Sequence, residues 1–248
     1  MAILQPNSPI YTPFVENLTG LELAFISTTS ISVAPGVCSD VTITNNINIA
    51  STVTINAAVQ GINGLDAGAL AANTFYAVYA IGDSTLFNAP GALLSLSATQ
   101  PYVPSGYDMF RRIGYVLTDG SEHILDFTQR GESLSRDMYY AAAIATNITA
   151  GASATFAAVT ASASVPPSSV EVFLKAILTA DAGGTRTAAF KAASSSSAAG
   201  QAFMWAPAST VATVSVTCPC DASGAIDYLV SNTAAAIAID VIGYVDNL

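Results

Sequence analysis

A chain of 248 residues, only 10% of them charged and 52% apolar, with a formal net charge of −10, is long enough to close one large hydrophobic core or two ordinary ones. Seven basic residues against 17 acidic ones argue against nucleic acid as a partner, because phosphate binding needs a basic stripe and Arg111-Arg112 is the one adjacent basic pair. The best apolar run, residues 233–245, is cut by Asp240 and falls short of the roughly 18–20 residues of a spanning helix, so no membrane insertion is expected.

The start, "MAILQPNSPIYTPFVENL", lacks a basic n-region and is broken by Pro6, Pro9 and Pro13, so no secretory signal is expected. It reads as an extended arm, running into a first strand within residues 1–30, that could dock on a neighbouring subunit through Tyr11 and Phe14. From residue 31 the grammar is that of strands: period-two alternation and β-branched runs, with hardly any helical period. Residues 40–59 alternate Val41 and Ile43 with Thr42 and Thr44, turn at Asn45-Asn46 and resume, as a meander with one polar face. "FYAVYAIGDS" (75–84) is apolar on both faces and so a central strand. Turn residues punctuate these runs at Asn63-Gly64, Ala89-Pro90-Gly91, Pro104-Ser105-Gly106 and Asp119-Gly120.

Residues 128–137, "TQRGESLSRD", are polar and follow the first block of strands, which places a domain boundary there. Residues 132–146 hold good helix formers and are the one plausible helix, while Ser133 and Ser135 fit a strand or linker equally. Beyond them "EVFLKAILTA" (171–180) reads as a second central strand and "STVATVSVTC" (209–218) alternates cleanly. "SSSSAAG" (194–200) is a low-complexity loop. After it, Trp205, flanked by a proline, is the best candidate for an exposed interface anchor. Both blocks close on Ile-Gly-Tyr-Val, at 113–116 and 242–245. In the second, alternation places Ile237, Ile239, Val241, Gly243 and Val245 on one face. The fold expected is therefore all-β: two antiparallel β-sandwich, jelly-roll-like domains in tandem (residues 31–131 and 132–248) behind the N-terminal arm.

The chemistry-bearing residues are sparse. Cys38, Cys218 and Cys220 cannot make a zinc site with a single His123; buried thiols, a disulfide from Cys38 to Cys218 or Cys220, or an intermolecular bond, are the alternatives. His123, in "DGSEHILDF", has Glu122 and Asp126 as neighbours. It sits in a turn, where a lone histidine is more often a solvated or capping residue than a general base. Carboxylate pairs that could flank a glycosidic bond, Glu122 with Asp126 or Asp221 with Asp227, also lie at turns, where Asp commonly binds its own backbone. No esterase elbow, P-loop or dinucleotide fingerprint occurs. No catalytic residue, cofactor site or metal site is therefore assigned.

"GLDAGALAANTFYAVYAIGDST" (64–85) and "ALLSLSATQPYVPSGYDMFRRIGYVLTDGSEHILDFTQRG" (92–131) resemble a module of structural proteins of tailed bacteriophages. The end of the chain, "AIDYLVSNTAAAIAIDVIGYVDNL", resembles closing strands of phage fibre-type domains more loosely. The resemblance implies a non-enzymatic virion component, assembled in the bacterial host cytoplasm: a tail-fibre, baseplate-associated or host-adhesion part, or alternatively a capsid decoration or head-fibre protein. A carbohydrate-active tail enzyme is a third, disfavoured reading. Its expected partners are copies of itself, as a trimer, other virion proteins and a host-surface glycan.

Overall fold

The computed structural model describes residues 17–131, 134–161 and 163–248; the docking expected of Tyr11 and Phe14 falls outside them. Among the described residues every regular element is a strand: β1 (Leu18–Gly20), β2 (Leu23–Ser27), β3 (Ser30–Val33), β4 (Gly36–Ser39), β5 (Asn46–Ile49), β6 (Val53–Asn56), β7 (Phe75–Gly82), β8 (Gly91–Ser95), β9 (Met109–Leu117) and β10 (Phe127–Arg130). They continue as β11 (Ser135–Ala145), β12 (Ala157–Val159), β13 (Ser169–Thr179), β14 (Arg186–Ala192), β15 (Ala202–Ala206), β16 (Val211–Pro219), β17 (Ile226–Val230) and β18 (Ala236–Asn247). The chain is all-β and every strand pairing between these elements is antiparallel.

Strands β11–β18 build two sheets, in the orders β16-β13-β18-β11 and β12-β17-β14-β15. The chain crosses from one sheet to the other at every connection except β14–β15, which is the strand order of a jelly roll. The earlier strands are laid out differently. A three-armed meander is kinked across two sheets: β1, β4 and β5 form one, while β2, β3 and β6 extend the other. A separate sheet, β8-β7-β9, packs on the meander. One face of β7 joins the main core through Tyr76, Val78 and Ala80; the other, with Ala77, Tyr79 and Ile81, packs on Leu93 and Tyr115. The expected central strands are thus both found, β7 between β8 and β9 and β13 between β16 and β18.

The polar stretch 128–137 does not separate the two blocks. β10 pairs with β11 from Phe127↔Tyr140 to Arg130↔Asp137, so the sheets of the two blocks run on as one of eight strands. A single core also spans them, holding Leu23, Ile113 and Phe127 together with Met138, Val172 and Tyr244. A buried cation ties the same seam. The kink between β1 and β2 turns through Leu21 at φ +58; Arg136 of β11, 0% exposed, donates to the carbonyls of Gly20 and Leu21 there, the latter at 2.7 Å, and to Gln129 Oε1 at 3.2 Å.

Three local expectations are corrected. Residues 135–145 form a strand, the alternative to a helix there, because residues 137–140 pair with β10 on one side and 135–139 and 144–145 with β18 on the other, which outweighs helix propensity. Residues 41–44 form a turn rather than a strand: the Asp40 carboxylate accepts from Thr42 Oγ1 at 2.7 Å, Thr44 N–H at 2.9 Å and Asn45 N–H at 3.1 Å, and Ile43 lies at φ +57. Asn46 accordingly opens β5 instead of closing a turn.

The third correction concerns Ile-Gly-Tyr-Val. In β9 the register steps from Val78↔Gly114 to Tyr79↔Arg112, leaving Ile113 as an extra residue. In β18 it steps from Phe173↔Gly243 to Leu174↔Val241, leaving Ile242 extra. Both copies are β-bulges at the same isoleucine. A bulge shifts the alternation by one, so Tyr244, not Gly243, joins Ile237, Ile239 and Val241 in the core. The strand orders of the two blocks differ, so the echo is confined to these two bulged strands.

Candidate functional site

The β7–β8 loop is organised around one carboxylate. Asp83 Oδ1 accepts from the Thr85 N–H at 2.8 Å and Oγ1 at 2.6 Å; Oδ2 accepts from the Asn88 N–H at 2.9 Å and Nδ2 at 3.0 Å. The Thr85 hydroxyl, and then the Asn88 and Thr85 amides, hold this carboxyl down at about 2. Four further bonds tie the loop to its neighbour: Ser84 N–H to Asp108 Oδ1 at 2.8 Å, the Ser84 hydroxyl to Asp108 Oδ2 at 2.5 Å, Asn88 Nδ2 to the Gly106 carbonyl at 3.0 Å, and the Tyr107 hydroxyl to the Ala89 carbonyl at 2.9 Å.

A loop pinned at both ends this way holds its middle outward. Leu86 and Phe87 are 81% and 89% exposed, and Leu86 sits at φ +59, a conformation that costs a residue with a Cβ about 1–2 kcal/mol. Two large apolar side chains are thus held in water on a strained but hydrogen-bonded loop. Neither residue stands out among the sequence candidates above. The available signal was Asp-Ser-Thr ahead of, and Asn after, an apolar pair: capping residues bracketing the two side chains they expose.

Trp205 is exposed as expected, at 63%, and lies on β15 with Phe203 beside it at 61%. Both face away from the core, since the intervening Met204 is buried. β15 ends the four-stranded sheet and β16, next in the chain, ends the eight-stranded one. Together they make one open flank of the jelly roll.

The acids are dispersed, and several of them shape turns. Asp119 accepts from the Ser121 and His123 N–H groups at 2.8 and 2.9 Å, and His123 Nδ1 lies 3.7 Å from its carboxylate. Asp221 accepts from the Ser223 N–H and hydroxyl and from the Ala225 N–H. Asp181 accepts from the Gly183 N–H and is paired with Arg186. The His123 amide lowers the Asp119 carboxyl, the Ser223 hydroxyl lowers Asp221, and Arg186 takes Asp181 down to about 2. Asp227 lies on β17 opposite Lys191.

A groove of about 360 Å³ along β2, β3 and β10 is lined by Asp126 together with Glu22; Glu122 and His123 stand outside it. A cleft of about 470 Å³ lies where the register of β11 slips against β18, under Ala142, Ala143 and Ile144, and its lining is mostly small and apolar. All three cysteines are free thiols. Cys38 is on β4 and Cys218 on β16, strands of different sheets. Burial pushes Cys38 and Cys218 up to about 12 and Cys220 to about 11, which keeps each protonated and a poor nucleophile at neutral pH.

No family model matches the chain, and neither a curated protein nor a solved structure matches it.

Proposed function

We propose that the chain is a non-enzymatic structural component of a tailed-phage particle, belonging to the tail as a fibre, baseplate-associated or host-adhesion part, and that it assembles with copies of itself. The observation that carries this reading is the Leu86–Phe87 tip. A loop that spends its hydrogen bonds on holding two apolar side chains in water is suited to contact with another macromolecule, not to turnover of a small substrate. The stretch that resembles phage structural proteins, residues 64–85 and 92–131, supplies β7–β10 and both walls of that loop. The charge-poor surface suits a protein packed against partners, and a glycan face could be met through the exposed aromatics.

Incorporation into particles tests it. Leu86→Ser/Phe87→Ser should fold with an unchanged Tm, because both side chains are solvated, yet be depleted from purified particles when mass spectrometry compares it with the wild-type chain. Equal incorporation of the variant would remove the tip from the assembly contact. Absence of the wild-type chain from particles would defeat the virion reading itself.

A further inference from the structure

A sheet edge is a row of unpaired N–H and C=O groups, and proteins ordinarily blunt it with charge, proline, bulges or brevity. Most edges here follow that rule. β6 has four residues, β12 three and β15 five. β8 is met by a bridge from Leu65 to Leu94. β9 carries Arg111 and Arg112, and its Phe110 carbonyl accepts from the Val41 N–H.

β16 does not. Its nine residues, Val-Ala-Thr-Val-Ser-Val-Thr-Cys-Pro, pair with β13 in unbroken register from Thr179↔Val211 to Glu171↔Pro219, and β16 has β13 as its single sheet neighbour among the described residues. The strand contains no charged residue, and its one proline stands at the very end. Val214 shares the inward face of Val216 and Cys218, yet it is 39% exposed, and Val211 is 61% exposed. The adjoining β15 adds Phe203 and Trp205 to the same flank.

We propose that β16 pairs antiparallel with β16 of a second copy of this chain, about a twofold axis near Ser215, so that two eight-stranded sheets become one. Phe203 and Trp205 flank the contact. Two arguments select a second copy as the occupant. An antiparallel pair of identical strands is self-complementary, so one edge satisfies the other. Each copy also carries a formal charge of −10, which opposes contact between copies almost everywhere; residues 192–220 hold no charged side chain, so contact here brings no like charges together. The inference rests on the self-assembly part of the proposed function and is independent of the particle.

Sedimentation equilibrium of the full chain tests it, with Thr213→Lys/Thr217→Lys and Thr213→Glu/Thr217→Glu as variants. Both positions are exposed on the outward face, and the twofold axis would set 213 of one copy against 217 of the other. The wild-type chain should be a dimer. Each variant alone should dissociate, with Kd raised roughly tenfold or more by the like charges, and an equimolar mixture of the two should recover a heterodimer, which also shows that both fold. A wild-type monomer, a wild-type trimer, or a dimer indifferent to the lysines would overturn the proposal. None of these outcomes bears on whether the chain is found in particles.

Discussion

Arg112 and Asp246 bind the two Ile-Gly-Tyr-Val strands to each other. Arg112 immediately precedes the first copy and Asp246 immediately follows the second; Nη1 donates to both carboxylate oxygens at 3.0 Å and Nη2 to the Asn247 carbonyl at 2.7 Å. The Arg112 guanidinium also lies over the Tyr115 ring, 4.7 Å from its centroid. Phe75 then bridges the tyrosines of the two copies, edge-on to Tyr115 at 6.2 Å and to Tyr244 at 6.4 Å. The echo in the sequence therefore marks the place where the two blocks are joined.

Asp246 is 1% exposed, so removing its cation leaves a buried charge with too few partners. Arg112→Met is expected to destabilise the chain by about 3 kcal/mol in urea denaturation. The double variant Arg112→Met/Asp246→Asn should recover part of that loss, because no uncompensated charge remains. Equal stability of Arg112→Met and wild type would show that the junction contributes nothing.

Gly243 is required by its neighbours. An added Cβ would stand 2.1 Å from the Met138 carbonyl oxygen and 3.1 Å from the Phe173 ring. Tyr139 and Phe173, paired to Gly243 from the strands on either side, stack across it at 4.9 Å and 10°. Gly243→Ala should cost on the order of 3 kcal/mol or prevent folding, seen as a large drop in Tm or loss of soluble protein. An alanine variant with wild-type Tm would contradict the bulge geometry.

The Asp-capped turns predict how the fold responds to acid. Folding lowers the carboxyls of Asp83 and Asp181 to about 2 from about 3.9 in an unfolded chain. The unfolded state then binds more protons through this window, so the stabilisation is complete above about pH 4 and is lost as pH falls towards 2. Tm measured from pH 6 to pH 2 should fall through that interval. Asp83→Asn should lower Tm at pH 6 and converge on wild type near pH 2. A constant offset between the two at every pH would show that the Asp83 charge is not what the loop uses.

How much of this was legible depends on whether the signal was local. The dense apolar run at 75–82 and the clean alternation at 211–218 announced β7 and β16, because burial on two faces or one is written into residue order. The turn at 40–45 was hidden, since Val41 and Ile43 alternate like strand residues while Asp40 gathers the backbone around itself. The alanines of 141–143 suit a helix, and it is the pairing of the residues around them, with adjacent β10 and with β18 a hundred residues away, that makes β11 a strand. A bulge leaves no mark on alternation until register is known, so the phase change at Ile242 could not be read. The pairing of Arg112 with Asp246 spans the whole second block, beyond any motif. The exposure of Trp205 was legible from its size and surroundings. Leu86 and Phe87 were not, because their exposure follows from hydrogen bonds made by Asp83, Asn88 and Tyr107.

The most direct measurement of the proposed role is where the chain sits. Cryo-electron microscopy of particles that incorporate it should show the jelly roll and the β8-β7-β9 sheet in tail density, with the Leu86–Phe87 tip against a neighbouring protein. Density confined to the capsid shell would contradict the tail assignment and favour a decoration or head-fibre protein, and a tip facing open solvent throughout the particle would contradict the contact on which the reading rests.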